Sequence, residues 1–241
     1  MSERAPLPRA ATAPEPGPVI LFAPHADDDV IGAGGTAALH VAQGDPVQVV
    51  VTYDGVAGDP EGRYDPVELR ATRQREARAG GRHLGLSDYD FWGYPEGHEP
   101  GPAEFRQAAG RVAELLRAMR PVTVYAPWVG EHHLDHHVLG RVVQGALALS
   151  GHDCRAWGYE VWTPLVPTLI VDITALYERK VAALREHVSQ LEYTDHVHKA
   201  LGMQAQRSLY LSDGALWGEA FAPLGSPSPR DAETLGLAPT P

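Results

Sequence analysis

The chain has 241 residues, 44% of them apolar, a formal net charge of -11 and no basic run. That fits one α/β domain with a sizeable core, and it excludes nucleic acid or an anionic membrane as the main partner, since both reward clustered Lys and Arg. The single cysteine, Cys154, excludes an internal disulfide framework and a Cys-rich zinc site, so any metal centre must draw on carboxylates and the 12 histidines.

Residues 1–18 are rich in Ala and Pro, lack an apolar signal-type core, and read as a flexible leader. No stretch approaches the roughly 18 apolar residues that cross a bilayer, so a cytoplasmic location is expected. The apolar run over 19–23, stopped by Pro24, predicts a buried strand. A glycine-rich segment, 32–35, leads into a helix to about Gln43, and 47–53 is a second buried strand. The Gly, Asp and Pro-rich segment 55–66 reads as an exposed, mobile loop. A helix follows over 67–84, with Gly85 as its stop, then a short strand over 89–92. The helix over 104–119 is amphipathic, with Val112, Leu115, Leu116 and Met119 on one face. A strand over 121–126, a helix over 133–149, strands over 156–162 and 168–173, and a helix over 174–190 complete the series. The Pro and Ser-rich tail, 223–241, reads as disordered. Strands alternating with helices predict βαβ units in a Rossmann-like, doubly wound, mostly parallel sheet with helices on both faces, formed by a single domain over 19–222.

Ligands of such a sheet bind at the carboxyl ends of its strands. Two polar clusters fall there. The first, His25-Ala26-Asp27-Asp28-Asp29, follows the first strand directly. Capping a helix takes one carboxylate, whereas three adjacent ones repel unless a cation sits beside them. The second, Glu131-His132-His133-Leu134-Asp135-His136-His137, follows the strand ending at 126 and opens a helix, where His133 or His132 shares a face with His136. A catalytic zinc takes three His or carboxylate ligands and keeps one position open for water. One His and one Asp of the first cluster with one His of the second supply that set. A carboxylate is left to accept a proton from water, and a His to stabilise an oxyanion. Spacing alone leaves open which of Asp27 and Asp28 binds the metal.

These residues resemble a known family. His25-Ala26-Asp27-Asp28-Asp29 with Gly32, Gly34 and Gly35 is similar to the H-P-D-D-E…G-G opening of the LmbE-like proteins, which include the PIG-L N-acetylglucosaminyl deacetylases, and His133-Leu134-Asp135-His136 to their H-P-D-H motif. Arg73-Gln74-Arg75-Glu76-Ala77 with Leu84-Gly85, the segment Lys180…His187…Ser189-Gln190, and Glu219-Ala220-Phe221 also resemble family motifs. The resemblance implies zinc, or Fe2+ in its place, on His25, Asp28 and His136. It implies Asp27 as general base, a protonated His133 polarising the oxyanion, Asp135 orienting it, and Arg73 holding substrate. The activity implied is removal of an acyl group, usually acetyl, from the nitrogen of a small sugar or glycoside. Ala26 and Leu134 stand where the family has Pro, Asp29 where it has Glu, and Glu96-Gly97 where it often has Asp-Gly.

Two other readings share these residues: a non-haem Fe(II) oxygenase, whose facial triad is also two His and one carboxylate, and a non-catalytic sugar-binding domain. Trp92, Trp128 and Trp162, near strand ends, are expected to pack in the core, as are or lie exposed the isolated His40, His83, His98 and His152. The segment 195–198, with His196 and His198, reads as a solvated loop.

Overall fold

The structure is a computed structural model that describes residues 6–237; residues 1–5 of the expected leader and 238–241 of the expected tail lie outside the described residues. In chain order the elements are β1 (Arg9–Ala11), β2 (Val19–Ala23), α1 (Asp28–Ala42), β3 (Val47–Tyr53), α2 (Pro66–Leu84), β4 (Asp88–Tyr94), α3 (Pro102–Met119), β5 (Thr123–Pro127), α4 (Leu134–Ser150), β6 (Arg155–Tyr159), β7 (Leu169–Asp172), α5 (Tyr177–Arg185), α6 (Val188–Leu191), α7 (His196–Arg207), β8 (Gly218–Pro223) and α8 (Pro229–Leu235).

Among the described residues the eight strands form one sheet in the order β1-β7-β8-β6-β5-β2-β3-β4, and the two pairings made by β8 are its antiparallel ones. Strands β3 and β4 extend the sheet to one side of β2, while β5 and β6 extend it to the other. The chain therefore reverses direction of growth between β2 and β5, and a crevice opens at their carboxyl ends. Alternation along β2 sends Leu21 to one face and Ile20 and Phe22 to the other, all fully buried, each contributing about 1.5–3 kcal/mol of apolar burial. Helices α1, α2, α5 and α7 cover the first face, and α3, α4 and α8 the second. No helix of the described residues is long and apolar enough to cross a membrane.

Several elements differ from expectation. The leader contributes β1, which satisfies the otherwise open edge of β7 by parallel pairing, Arg9 opposite Leu169. The glycine-rich segment does not precede the helix but lies inside α1, which starts at Asp28. A Cβ on Gly32 would lie 2.1 Å from the Tyr159 ring, and one on Gly35 2.6 Å from Ile173, so these glycines let a helix lie against the sheet. The helix expected over 174–190 is interrupted at His187, between α5 and α6. Helix α7 replaces the expected loop at 195–198, because Asp195 caps it by accepting from the His198 amide at 2.9 Å. The tail holds α8, capped by Ser228 and tied to α4 through Arg141 and Asp231.

Candidate functional site

The two polar clusters meet in the crevice. Both are helix starts: Asp28 and Asp29 lie in the first turn of α1, Asp135 and His136 in that of α4, where the helix dipole favours carboxylates. Neither Asp27 nor His133 makes a side-chain cap bond, so these residues are free for other work.

His25, Asp28 and His136, all buried, each bring one ligand atom within 4.8 Å of the others. Asp28 Oδ2 is the hub, 3.0 Å from His25 Nδ1 and 3.2 Å from His136 Nε2. The far nitrogen of each ring faces a carboxylate. His25 Nε2 lies 3.0 Å from Glu96 and 3.2 Å from Asp135, and His136 Nδ1 lies 3.8 Å from Glu131. A proton on His25 Nε2 leaves Nδ1 bare toward Asp28, the tautomer and backing that metal-binding histidines use. The electrostatics agree. Burial opposes a charge on either ring, yet neighbouring carboxylates lift His25 well above the usual range and His136, mainly through Asp28, to about 9. Burial also opposes charge on Asp28, but His136 and His25 hold it well below the usual range. Such a site holds positive charge, and the donor set, two imidazoles and one carboxylate, fits a divalent cation. A second convergent set, His25, His133 and Asp135, shares His25 but includes the half-exposed His133.

Asp27 stands beside this trio without joining it. Its Oδ1 accepts from Arg73 at 3.2 Å, and its Oδ2 lies 3.5 Å from His196 Nδ1. Burial disfavours its charge, and Arg73 followed by His196 more than compensates, placing the carboxyl at about 2. Arg73 is itself buried and also donates to the Gly55 carbonyl at 2.9 Å. The His133 ring is 4.5 Å from that of His136 and 5.1 Å from that of His25, centroid to centroid. Burial first, then the neighbouring rings, lower its pKa, so the resting environment disfavours the expected imidazolium. Asp135 lies 3.9 Å from His133 Nδ1; it engages His25 instead and accepts from the Gly97 amide at 2.8 Å.

Around these residues is a pocket of about 400 Å³, with Arg73 and Glu96 on one part of its wall and Trp162, His196 and Lys199 on another. The loop over 55–66 is fastened rather than free: Tyr193 donates to Asp59 at 2.6 Å and Tyr64 to Glu192 at 3.0 Å. The sequence marks Glu96, Glu131 and His187 only as motif positions and His196 only as part of a loop, with no place in the site expected for any of them. Glu131 lay inside the second cluster, and its three backbone donors, Val161, Trp162 and Thr163, are remote in sequence. Of the four clustered histidines, His136 and His133 face the site, whereas His137 donates to or accepts nothing there and pairs with the Val129 carbonyl at 2.6 Å. Among the isolated ones, buried His40 is satisfied by Asp45 and Tyr125. Trp92 and Trp128 pack as expected, while Trp162 lines the pocket.

The match to known proteins agrees with this geometry. The family model PIG-L, GlcNAc-PI de-N-acetylase, matches residues 20–147, just over half of the chain. The chain belongs to this family. A 1D-myo-inositol 2-acetamido-2-deoxy-alpha-D-glucopyranoside deacetylase of Kineococcus radiotolerans is 27% identical, over 73% of this chain and 70% of its own. The solved N,N'-diacetylchitobiose deacetylase of Pyrococcus horikoshii superposes with a TM-score of 0.72 at 27% identity, covering 85% of this chain and 82% of that one. A 4-oxalmesaconate hydratase of Pseudomonas putida is 25% identical over 79% of this chain and 81% of its own. The expected Rossmann-like sheet and N-deacetylase class hold: this is a metal-dependent hydrolase of the PIG-L type, and the iron oxygenase alternative finds no support.

Proposed function

We propose that His25, Asp28 and His136 hold zinc and that the enzyme removes an acetyl group from the nitrogen of a small amino sugar or glycoside. The carrying observation is the convergence of those three residues, from two separate motifs, beside an Asp27 that stays outside the trio. Two imidazoles and a carboxylate suit zinc or Fe2+ better than magnesium, which prefers oxygen donors. A bound divalent ion supplies Lewis acidity and lowers the pKa of its water from about 15.7 toward about 7. The remaining work belongs to the protein. Asp27 accepts the proton of the attacking water and returns it to the leaving amine. Arg73 bridges Asp27 and Gly55, which holds the Asp27 carboxylate in place and keeps the guanidinium on the pocket wall beside the substrate. His133 faces the developing oxyanion, and a neutral ring still donates from one nitrogen. Asp135 acts through His25 as much as through His133. Trp162 offers a face for a sugar ring.

The test is acetate release from a panel of N-acetylated amino sugars, with chelator and after zinc is restored. Asp27→Ala should keep the metal and lose about 10²- to 10⁴-fold in kcat, whereas Asp28→Ala should lose the metal. Equal metal loss in both variants would undo the assignment. Hydration of 4-oxalmesaconate without acetate release from any sugar would reassign the reaction.

A further inference from the structure

His196 belongs to neither motif, and no role has yet been given to it. Its side chain is 16% exposed, and its buried Nδ1 lacks a hydrogen-bond partner while facing Asp27 Oδ2 at 3.5 Å. The ring is held from two directions. Trp162 meets it edge to face at 5.1 Å, and the Asp195 cap fixes the first turn of α7 on which it stands. The other Asp27 oxygen takes Arg73 at 3.2 Å, and His187, buried with Nε2 unpartnered, is the remaining titratable neighbour outside the two motifs.

We propose that His196 is a positioning residue whose Nδ1–H donates to Asp27 Oδ2, so that Arg73 and His196 together set the direction in which the carboxylate meets the attacking water. The inference rests on Asp27 acting as the base. A separation of 3.5 Å is long, and contacts of this kind in ligand-free sites tighten as the reacting complex assembles. The role dictates a tautomer. A carboxylate only accepts, so the proton must sit on Nδ1, where a packing residue would be indifferent to its location. Asparagine provides a second criterion, since its amide nitrogen falls where Nδ1 lies, while the nitrogen of glutamine reaches the place of Nε2.

Two measurements on the zinc-loaded enzyme decide the matter. Ring 15N–1H correlation spectra at pH 8, with the His196 signals identified by their absence in His196→Asn, should show the proton on Nδ1. A proton on Nε2 with Nδ1 bare overturns the proposal, whether or not any sugar is cleaved. In kinetics, His196→Leu should lower kcat by about 10- to 100-fold at unchanged zinc content and a KM within about 3-fold, as expected for a misaimed catalytic group. His196→Asn should recover kcat to within about 3-fold of the parent, and His196→Gln should not. A full kcat in His196→Leu, or no recovery in His196→Asn, overturns it. Absence of acetate release by the parent enzyme would sink the deacetylase reading alone, because the tautomer still reports on His196.

Discussion

His187 should make the protein acid-sensitive through a single ring. It is 2% exposed, between α5 and α6, and its Nε2 has no hydrogen-bond partner. Burial lowers its pKa from 6.5 to about 4, with Arg73 and His196 adding to the effect and Asp27 opposing it. A cation at the neighbouring site would push in the same direction. Above pH 6.5 the ring is neutral in both states. Below it, the unfolded chain takes up a proton that the native ring refuses until about pH 4, so stability falls as pH drops across that window. At about 1.36 kcal/mol per unit, the loss is about 2 kcal/mol by pH 5 and about 3 kcal/mol by pH 4. For a chain of this size 2 kcal/mol corresponds to roughly 4–8 °C in Tm. The assay is calorimetry of the parent and of His187→Leu, metal-loaded, at pH 7 and pH 5. Other groups titrate in both proteins, so the informative quantity is the difference: the parent should lose several degrees more than the variant. Parallel loss would refute the idea that this ring is held neutral.

Three further outcomes follow from packing and charge. Gly32→Ala drives a methyl into the Tyr159 ring, whose hydroxyl is anchored on the Phe22 carbonyl, so denaturant unfolding should report a loss of about 1–3 kcal/mol; an unchanged midpoint would mean that the ring yields freely. Lys180→Met strands the fully buried Glu219, which also accepts from the Gly35 and Thr36 amides, and should cost about 3–5 kcal/mol, seen as a Tm lower by roughly 6–20 °C and partly regained in Lys180→Met/Glu219→Gln. Glu131→Gln weakens the carboxylate behind His136 and should lower zinc affinity about 10- to 100-fold in competition with a chromogenic chelator, with unchanged affinity assigning Glu131 to loop structure only.

The parallel half of the sheet was legible because its strands are buried on both faces and so appear as apolar runs, unbroken over 19–23 and interrupted over 47–53 by Gln48 and Thr52 alone. Its two chemical clusters were legible because repelling carboxylates and crowded histidines have few structural uses. What escaped was whatever depended on partners distant in sequence. Strand β1 has only three residues and exists because β7 offers an edge; β8 has only the short apolar run Ala220-Phe221-Ala222, behind Glu219, and is defined by pairing on both sides. Asp195 looked like one charge among several in a polar segment, yet as a cap it starts α7 and so brings His196 to Asp27. Glu96 and Glu131 sit within or beside recognised motifs, but nothing local tells what they face. Their meaning comes from the imidazole nitrogens that the fold sets against them.

The antiparallel β8 has a consequence for synthesis. Strand β7 joins the sheet only through β8, and β1 only through β7. When residue 150 has left the ribosome, β2 to β5 and their helices already contain His25, Asp28 and His136, so the three proposed ligands can meet before Trp162 or His196 has emerged. Strand β1 meanwhile waits for residue 223, about 210 residues later, or roughly 10–40 s at ordinary elongation rates. Among the described strands, the earliest in the chain is the last one placed.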